Sequence, residues 1–213
     1  MSDAARLANL FLAIQEGLPR QGPGTDDATL AALELCSGLT EPFRMLDIGC
    51  GPGMQTLAVA RAREAQVVAV DLEPTYLTQL RESAADAGLR GAIATRRLDM
   101  SDLPFADGEF DVVWSEGAAY VIGVPTALEE WGRLIRPGGY LVVSDLCWTT
   151  AAPPQPLAEF FAEEYPSMTT VESRTAEFAR HGYEFVGHFT LPEVGWWLHY
   201  YEPLERKLPA LRE

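Results

Sequence analysis

The sequence predicts an α/β fold: one doubly wound, mostly parallel sheet with helices on both faces. Three observations predict it. Short apolar runs alternate with segments of helical periodicity, the pattern of strands joined by crossover helices. A glycine-rich stretch, Gly49-Cys50-Gly51-Pro52-Gly53, leads out of one such run into a helical segment. Aspartates Asp47, Asp71 and Asp99 fall at or near the ends of three successive runs.

The strand runs are Arg44 to Ile48, Gln66 to Val70, Ala92 to Leu98, Phe110 to Trp114 and Tyr140 to Ser144. Between them, Met54 to Arg63 and Pro74 to Ala87 carry apolar residues at helical spacing; Pro74 suits a first helical turn and Gly88 a stop. Pro125 opens a further helix carrying Leu128, Trp131, Leu134 and Ile135, ended by Arg136-Pro137-Gly138-Gly139. Upstream, Ala4 to Gly17 and Asp26 to Leu39 read as helices. The loop joining them, Leu18 to Thr25, is too rich in proline and glycine for regular structure. Downstream, Pro153-Pro154-Gln155-Pro156 precedes helices from Leu157 to Tyr165 and Val171 to His181, then a strand from Tyr183 to Leu191. At 213 residues, with no internal repeat or linker, the chain reads as one domain.

Sixteen Lys and Arg stand against 31 Asp and Glu, a formal charge of -15 that repels nucleic-acid phosphates and anionic membrane surfaces. Neither nucleic acid nor membrane insertion is expected, since no run of about 18 apolar residues occurs. Cys36, Cys50 and Cys147 lack disulfide or zinc-ligand spacing, so no metal is expected and a reducing cytoplasm fits. The N-terminal residues lack the basic start and apolar core of a signal peptide.

A glycine turn at a strand end lets backbone approach a ligand closely. Gly49, Gly51 and Gly53 fit that role, but a dinucleotide turn places its third glycine where this chain has Met54. Asp47, two residues ahead of Gly49, offers a carboxylate suited to the amino group of a methionyl moiety better than to a pyrophosphate. Stabilising the turn through backbone hydrogen bonds accounts for Asp47 equally well. Asp71 lies 22 positions after Gly49, the spacing at which an acid reaches ribose hydroxyls; a helix-cap role is its alternative. Asp99 is positioned to accept from an adenine amino group, or to serve a local turn, while Leu72 and Met100 supply apolar walls or simply core. Together these residues point to S-adenosylmethionine (SAM) in a crevice at the strand ends.

Leu46 to Gly53, Leu98 to Phe105, Phe110 to Gly117 and Leu134 to Gly139, in that order, resemble the class I SAM-dependent methyltransferases with their Rossmann-like sheet. The resemblance is to the broad small-molecule and quinone-biosynthesis-like group. A narrower bacterial subgroup of unassigned substrate is suggested by Arg20-Gln21-Gly22-Pro23-Gly24, Trp114 to Tyr120 and His199-Tyr200-Tyr201. It implies that Gln21, Gly22 and Gly24 lie over the methionyl end of SAM, unless that loop is purely structural, and that Ser115 and Glu116 sit at the rim of the transfer site. Residues 1–40 then supply N-terminal helices and a lid, and residues 150–213 a substrate-side segment. The fold normally ends in an antiparallel seventh strand, and none is visible after Tyr201. Truncation, substitution by Val194 to Tyr201, or a second copy of the chain covering the edge as a homodimer each accounts for this.

Methyl transfer from a sulfonium is an in-line displacement that mainly needs alignment in a dry site. Glu116 is the first candidate for a general base, with Tyr120 and His199 behind it. Glu116 equally suits a loop contact, and His199 equally suits packing among Trp196, Trp197, Tyr200 and Tyr201. The expected reaction is methylation of a small organic acceptor, such as an amine recognised by aromatic side chains. A SAM-binding or sensing protein without transfer activity is the alternative; a nucleotide-dependent oxidoreductase is disfavoured by Asp47 and Met54.

Overall fold

The computed structural model describes residues 13–15 and 17–211. In chain order the elements are α1 (Asp26–Leu35), β1 (Phe43–Ile48), α2 (Met54–Ala62), β2 (Ala65–Asp71), α3 (Pro74–Asp86), β3 (Ile93–Arg97) and β4 (Phe110–Glu116). A 3-10 turn (Ala119–Val121), α4 (Val124–Gly132), β5 (Ile135–Ser144), α5 (Gln155–Glu164) and α6 (Val171–Arg180) follow. The described chain closes with α7 (Val194–Trp196), a π-helical turn (Trp197–Tyr201) and α8 (Glu202–Leu211).

Five strands form one sheet in the order β3-β2-β1-β4-β5, every neighbouring pair parallel. The order reverses between β1 and β4, which opens a crevice at their carboxyl ends, the usual ligand position in open α/β sheets. Side chains alternate between the two faces as the strand period of two requires. On one face Met45, Val67, Ala69, Val112 and Trp114 pack with Leu33 of α1, Leu57 and Val59 of α2, and Leu77 and Leu80 of α3. On the other, Leu46, Ile48, Val70 and Val113 pack with Val124, Leu128 and Trp131 of α4, joined by Phe110 ahead of the register shift between β4 and β5. The same parity sends Glu116 toward the α1 face, with Trp114, and Ser115 toward the opposite one.

Local chemistry sets the helix starts. The Thr25 side chain caps α1 by accepting from the Ala28 amide at 3.1 Å, and Glu73 caps α3 just ahead of Pro74. Gly53 precedes α2 at φ +86°, and a Cβ there would stand 2.3 Å from Leu80 Cδ1. Glycine thus meets both the left-handed backbone and the contact between α2 and α3.

Several expectations are corrected. The helix containing Leu128 and Trp131 ends at Gly132, so Leu134 and Ile135 are not in it. Arg136-Pro137-Gly138-Gly139 lies inside β5, where the register against β4 slips between the Phe110 and Val112 pairings. Two glycines and a proline make a bulge there because Ile135 already pairs with Phe110. Tyr183 to Leu191 is irregular, with Phe185 and Val186 exposed, although its apolar residues alternate. Alternation makes an amphipathic strand only where a partner supplies hydrogen bonds, and no strand lies along the outer edge of β5 among the described residues. The helix beginning at Asp26 stops at Leu35 rather than Leu39. The expected helix from Ala4 to Gly17 lies mostly outside the described residues. Among the described residues no helix is long and apolar enough to cross a membrane.

Candidate functional site

The glycine turn carries its own hydrogen-bond partners. The Gly49 and Cys50 amides donate to the Val70 carbonyl, Gly53 donates to Cys50, and Gly51 donates to Asp71 Oδ2 at 2.9 Å. With Pro52 lacking a donor, no turn amide is left over for a pyrophosphate. Beneath the turn Asp47 is fully buried. Its Oδ2 accepts from the Thr56 hydroxyl of α2, while its Oδ1 has no partner. Burial pushes the Asp47 carboxyl up to about 7, against the opposing Thr56 bond and helped by the nearby charge of Glu116.

Asp71, at the end of β2, accepts from Gly51 on one oxygen and from the Glu73 amide at 2.9 Å on the other. It therefore links the glycine turn to the start of α3 and leaves a lone pair on each oxygen beside the crevice. Leu72 next to it is 54% exposed, an apolar surface open to a ligand. Asp99 accepts from the Ser101 amide and hydroxyl at 2.9 and 2.7 Å, a local turn that holds its exposed carboxyl below the usual carboxylate range. Met100 approaches Gly49: a Cβ added there would lie 3.5 Å from Met100 Cε.

The loop before α1 closes over this turn. Arg20, 4% exposed, donates to Glu116 Oε2 at 2.7 Å and to the Thr29 hydroxyl at 3.1 Å. Thr29 in turn donates to Glu116 Oε1 at 2.7 Å, and Trp114 Nε1 donates to the same oxygen at 3.0 Å. Gln21 lies above Gly51, its Cγ 3.4 Å from where a Cβ would stand, and its amide oxygen accepts from the Tyr76 hydroxyl at 2.8 Å. A Cβ added at Gly22 would meet no atom within 4 Å. Gly24 donates to the Gly195 carbonyl at 2.8 Å, and a Cβ on it would come within 2.6 Å of the Arg20 guanidinium, so the close turn requires glycine.

Residues 46–143 match the family model described as a methyltransferase domain. That stretch, from β1 to β5, is therefore similar to methyltransferase domains. Over 118 residues the chain is 30% identical to the O-methyltransferase resE of Aspergillus sclerotiorum, covering 54% of this chain and 45% of that one. Over 141 residues it is 32% identical to the malonyl-[acyl-carrier protein] O-methyltransferase of Dechloromonas aromatica, covering 62% and 50%. The match thus spans about half the length of these relatives. In fold the chain resembles a SAM-dependent methyltransferase of Geobacter sulfurreducens solved with S-adenosyl-L-homocysteine, at a TM-score of 0.82 and 23% identity, over 96% of this chain and 84% of that one.

Asp47, the three glycines, Asp71, Leu72 and Met100 lie at or just beyond the strand ends, and the loop before α1 brings Gln21 against Gly51. Ser115 departs from its expected place at the rim. It is fully buried, and its hydroxyl donates to the Ile48 carbonyl at 3.0 Å, tying β4 to β1. Glu116 is engaged by three donors and faces the loop before α1, a geometry for holding Arg20 rather than for taking a proton from an acceptor. Tyr120 is 52% exposed on the 3-10 turn and packs edge-on against Tyr165 at 5.8 Å. His199 stands apart from both: it lines a cleft of about 500 Å³ between the start of α1 and the π-helical turn, with Asp26, Asp27, Met54 and Phe189. Among the described residues no cluster of three metal-ligating side chains occurs. Arg20, Thr29, Thr56 and Tyr76 went unassigned in the sequence reading. Only Arg20 left a local signal there, as the first residue of the Arg-Gln-Gly-Pro-Gly stretch.

Proposed function

We propose that the protein is a SAM-dependent methyltransferase acting on a small organic acceptor by in-line displacement. The observation that carries this reading is Asp47 Oδ1, buried without a partner below a glycine turn whose amides are already spent. A buried acceptor of this kind suits an ammonium group, and a turn without free donors does not suit a phosphate. SAM, when bound, supplies a methyl group already activated on a sulfonium sulfur.

In this reading Asp47 meets the α-ammonium directly or through water, and Asp71 uses its remaining lone pairs on the ribose. Leu72 and Met100 flank the adenine, with Asp99 at its edge. Gln21, Gly22 and Gly24 cover the methionyl end, and the Arg20–Glu116 pair holds that cover on β4, excluding water. In this reading the Leu18 to Thr25 loop within residues 1–40 acts as the lid, and residues 150–213 form the acceptor side. Tyr120 and Val121, exposed on the turn after β4, and Leu157 and Phe160, exposed on α5, supply apolar surface at the strand ends. Arg20 is paired with Glu116, and Arg174 with Asp145 and Glu177, so these arginines are not available to an anionic acceptor. That supports a neutral or amine acceptor; the relatives named as O-methyltransferases support oxygen as the atom methylated.

The test is transfer of labelled methyl from SAM to pooled small metabolites. The reading expects a labelled small product formed in proportion to enzyme. Tight SAM binding without any product would leave a binding or sensing protein instead.

A further inference from the structure

The lid is fastened at three places, and the third has no role in the reading above. Arg20 joins it to β4 through Glu116, and the Gly24 amide joins it to α7 through Gly195. Gln21 carries the lid across the glycine turn to the opposite bank, where its amide oxygen accepts from the Tyr76 hydroxyl at 2.8 Å. Its amide nitrogen donates back to the Gln15 carbonyl at 3.3 Å, which fixes the oxygen toward Tyr76.

Tyr76 stands in the first turn of α3, just after Asp71, and is half-buried. Burial, with the nearby charges of Asp71 and Glu73 adding to it, pushes its phenol up to about 12. The hydroxyl therefore keeps its proton across the working pH range and remains a donor to Gln21. Directly below the Gln21 side chain is Gly51, whose amide is bound to Asp71. Gln21 thus closes directly over Gly51, and a ligand passing to or from Gly51 and Asp71 must displace the Gln21–Tyr76 bond.

We propose that Tyr76 is a cofactor-positioning residue: by holding Gln21 across the glycine turn beside Asp71, its hydroxyl sets how long SAM and its product stay bound. This rests on the methyltransferase reading. It adds to that reading a residue, on the ribose bank of the crevice, that touches the lid rather than the reacting atoms. Tyr76→Phe removes the hydroxyl and keeps the ring, so α3 packing is preserved.

The measurement is the dissociation rate of S-adenosylhomocysteine, followed by tryptophan fluorescence after displacement with excess SAM, together with thermal melting of each ligand-free variant. Tyr76→Phe is expected to speed dissociation roughly three- to tenfold, the loss of one hydrogen bond, with the melting temperature unchanged. Gln21→Ala is expected to do the same, and the double variant to add little beyond either single one, because both remove one shared bond. An unchanged dissociation rate in Tyr76→Phe overturns the proposal. So does a double variant whose effects simply multiply, or a rate change matched by a fall in melting temperature. Failure of the unaltered protein to bind S-adenosylhomocysteine by calorimetry is a separate result, which overturns the methyltransferase reading and this proposal together.

Discussion

Asp47 is buried in the middle of the site with one oxygen unpaired, a cost that folding alone does not explain. Its raised carboxyl gives a two-part pH signature. In the unfolded chain the group ionises near 3.8, in the folded chain near 7. Its contribution to stability is therefore fully present below about pH 4 and lost as pH rises toward 7. Binding of an ammonium group runs the other way, since it needs the carboxylate, and affinity for SAM falls by up to about tenfold per unit as pH drops below about 7. Asp47→Asn is expected to flatten both dependences and to weaken SAM binding; calorimetry and melting curves between pH 5 and about 8.5 check this. Affinity rising toward acid pH would contradict the assignment. Asp47, Asp71 and the glycines were legible in the sequence because each obeys a local rule of strand end, spacing or turn. Tyr76 and Arg20 were not, because their partners Gln21 and Glu116 are 55 and 96 residues away in sequence, joined only by the fold.

At the scale of elements, the loop before α1 and β4 are joined through the Arg20–Glu116 pair. Strand parity explains why Glu116 faces α1 while Ser115 turns to the opposite face and bonds Ile48, a distinction that the family resemblance alone did not make. Glu116→Gln leaves the buried Arg20 guanidinium with only the more distant, half-exposed Asp26 carboxylate at 3.8 Å, a change expected to cost on the order of 2 kcal/mol in stability. SAM binding and turnover are expected to fall together, because the lid loosens. Lost turnover with SAM binding retained would instead mark Glu116 as a base. The five strands, α2 and α3 were readable from periodicity because each buries a face against the sheet. Tyr183 to Leu191 misled for the complementary reason: its alternation is real, but a strand also needs a neighbouring backbone, which periodicity does not encode.

At the scale of the whole molecule, the parallel sheet with its reversal between β1 and β4 puts every proposed cofactor contact on one rim. The glycine turn, Asp71 and Asp99 reach that rim because β1, β2 and β3 run in the same direction, their ends side by side. The formal charge of -15 further separates this crevice from one built to take polyanions. The central claim, that the crevice is built for SAM rather than for a dinucleotide, is tested most directly by calorimetric titration with SAM and with NADH, on the unaltered protein and on Asp71→Ala. The account predicts saturable SAM binding, no competing NADH binding, and a loss of about 1 to 3 kcal/mol of SAM binding in Asp71→Ala. Tighter binding of NADH than of SAM, or a dissociation constant for SAM unchanged in Asp71→Ala, would contradict it.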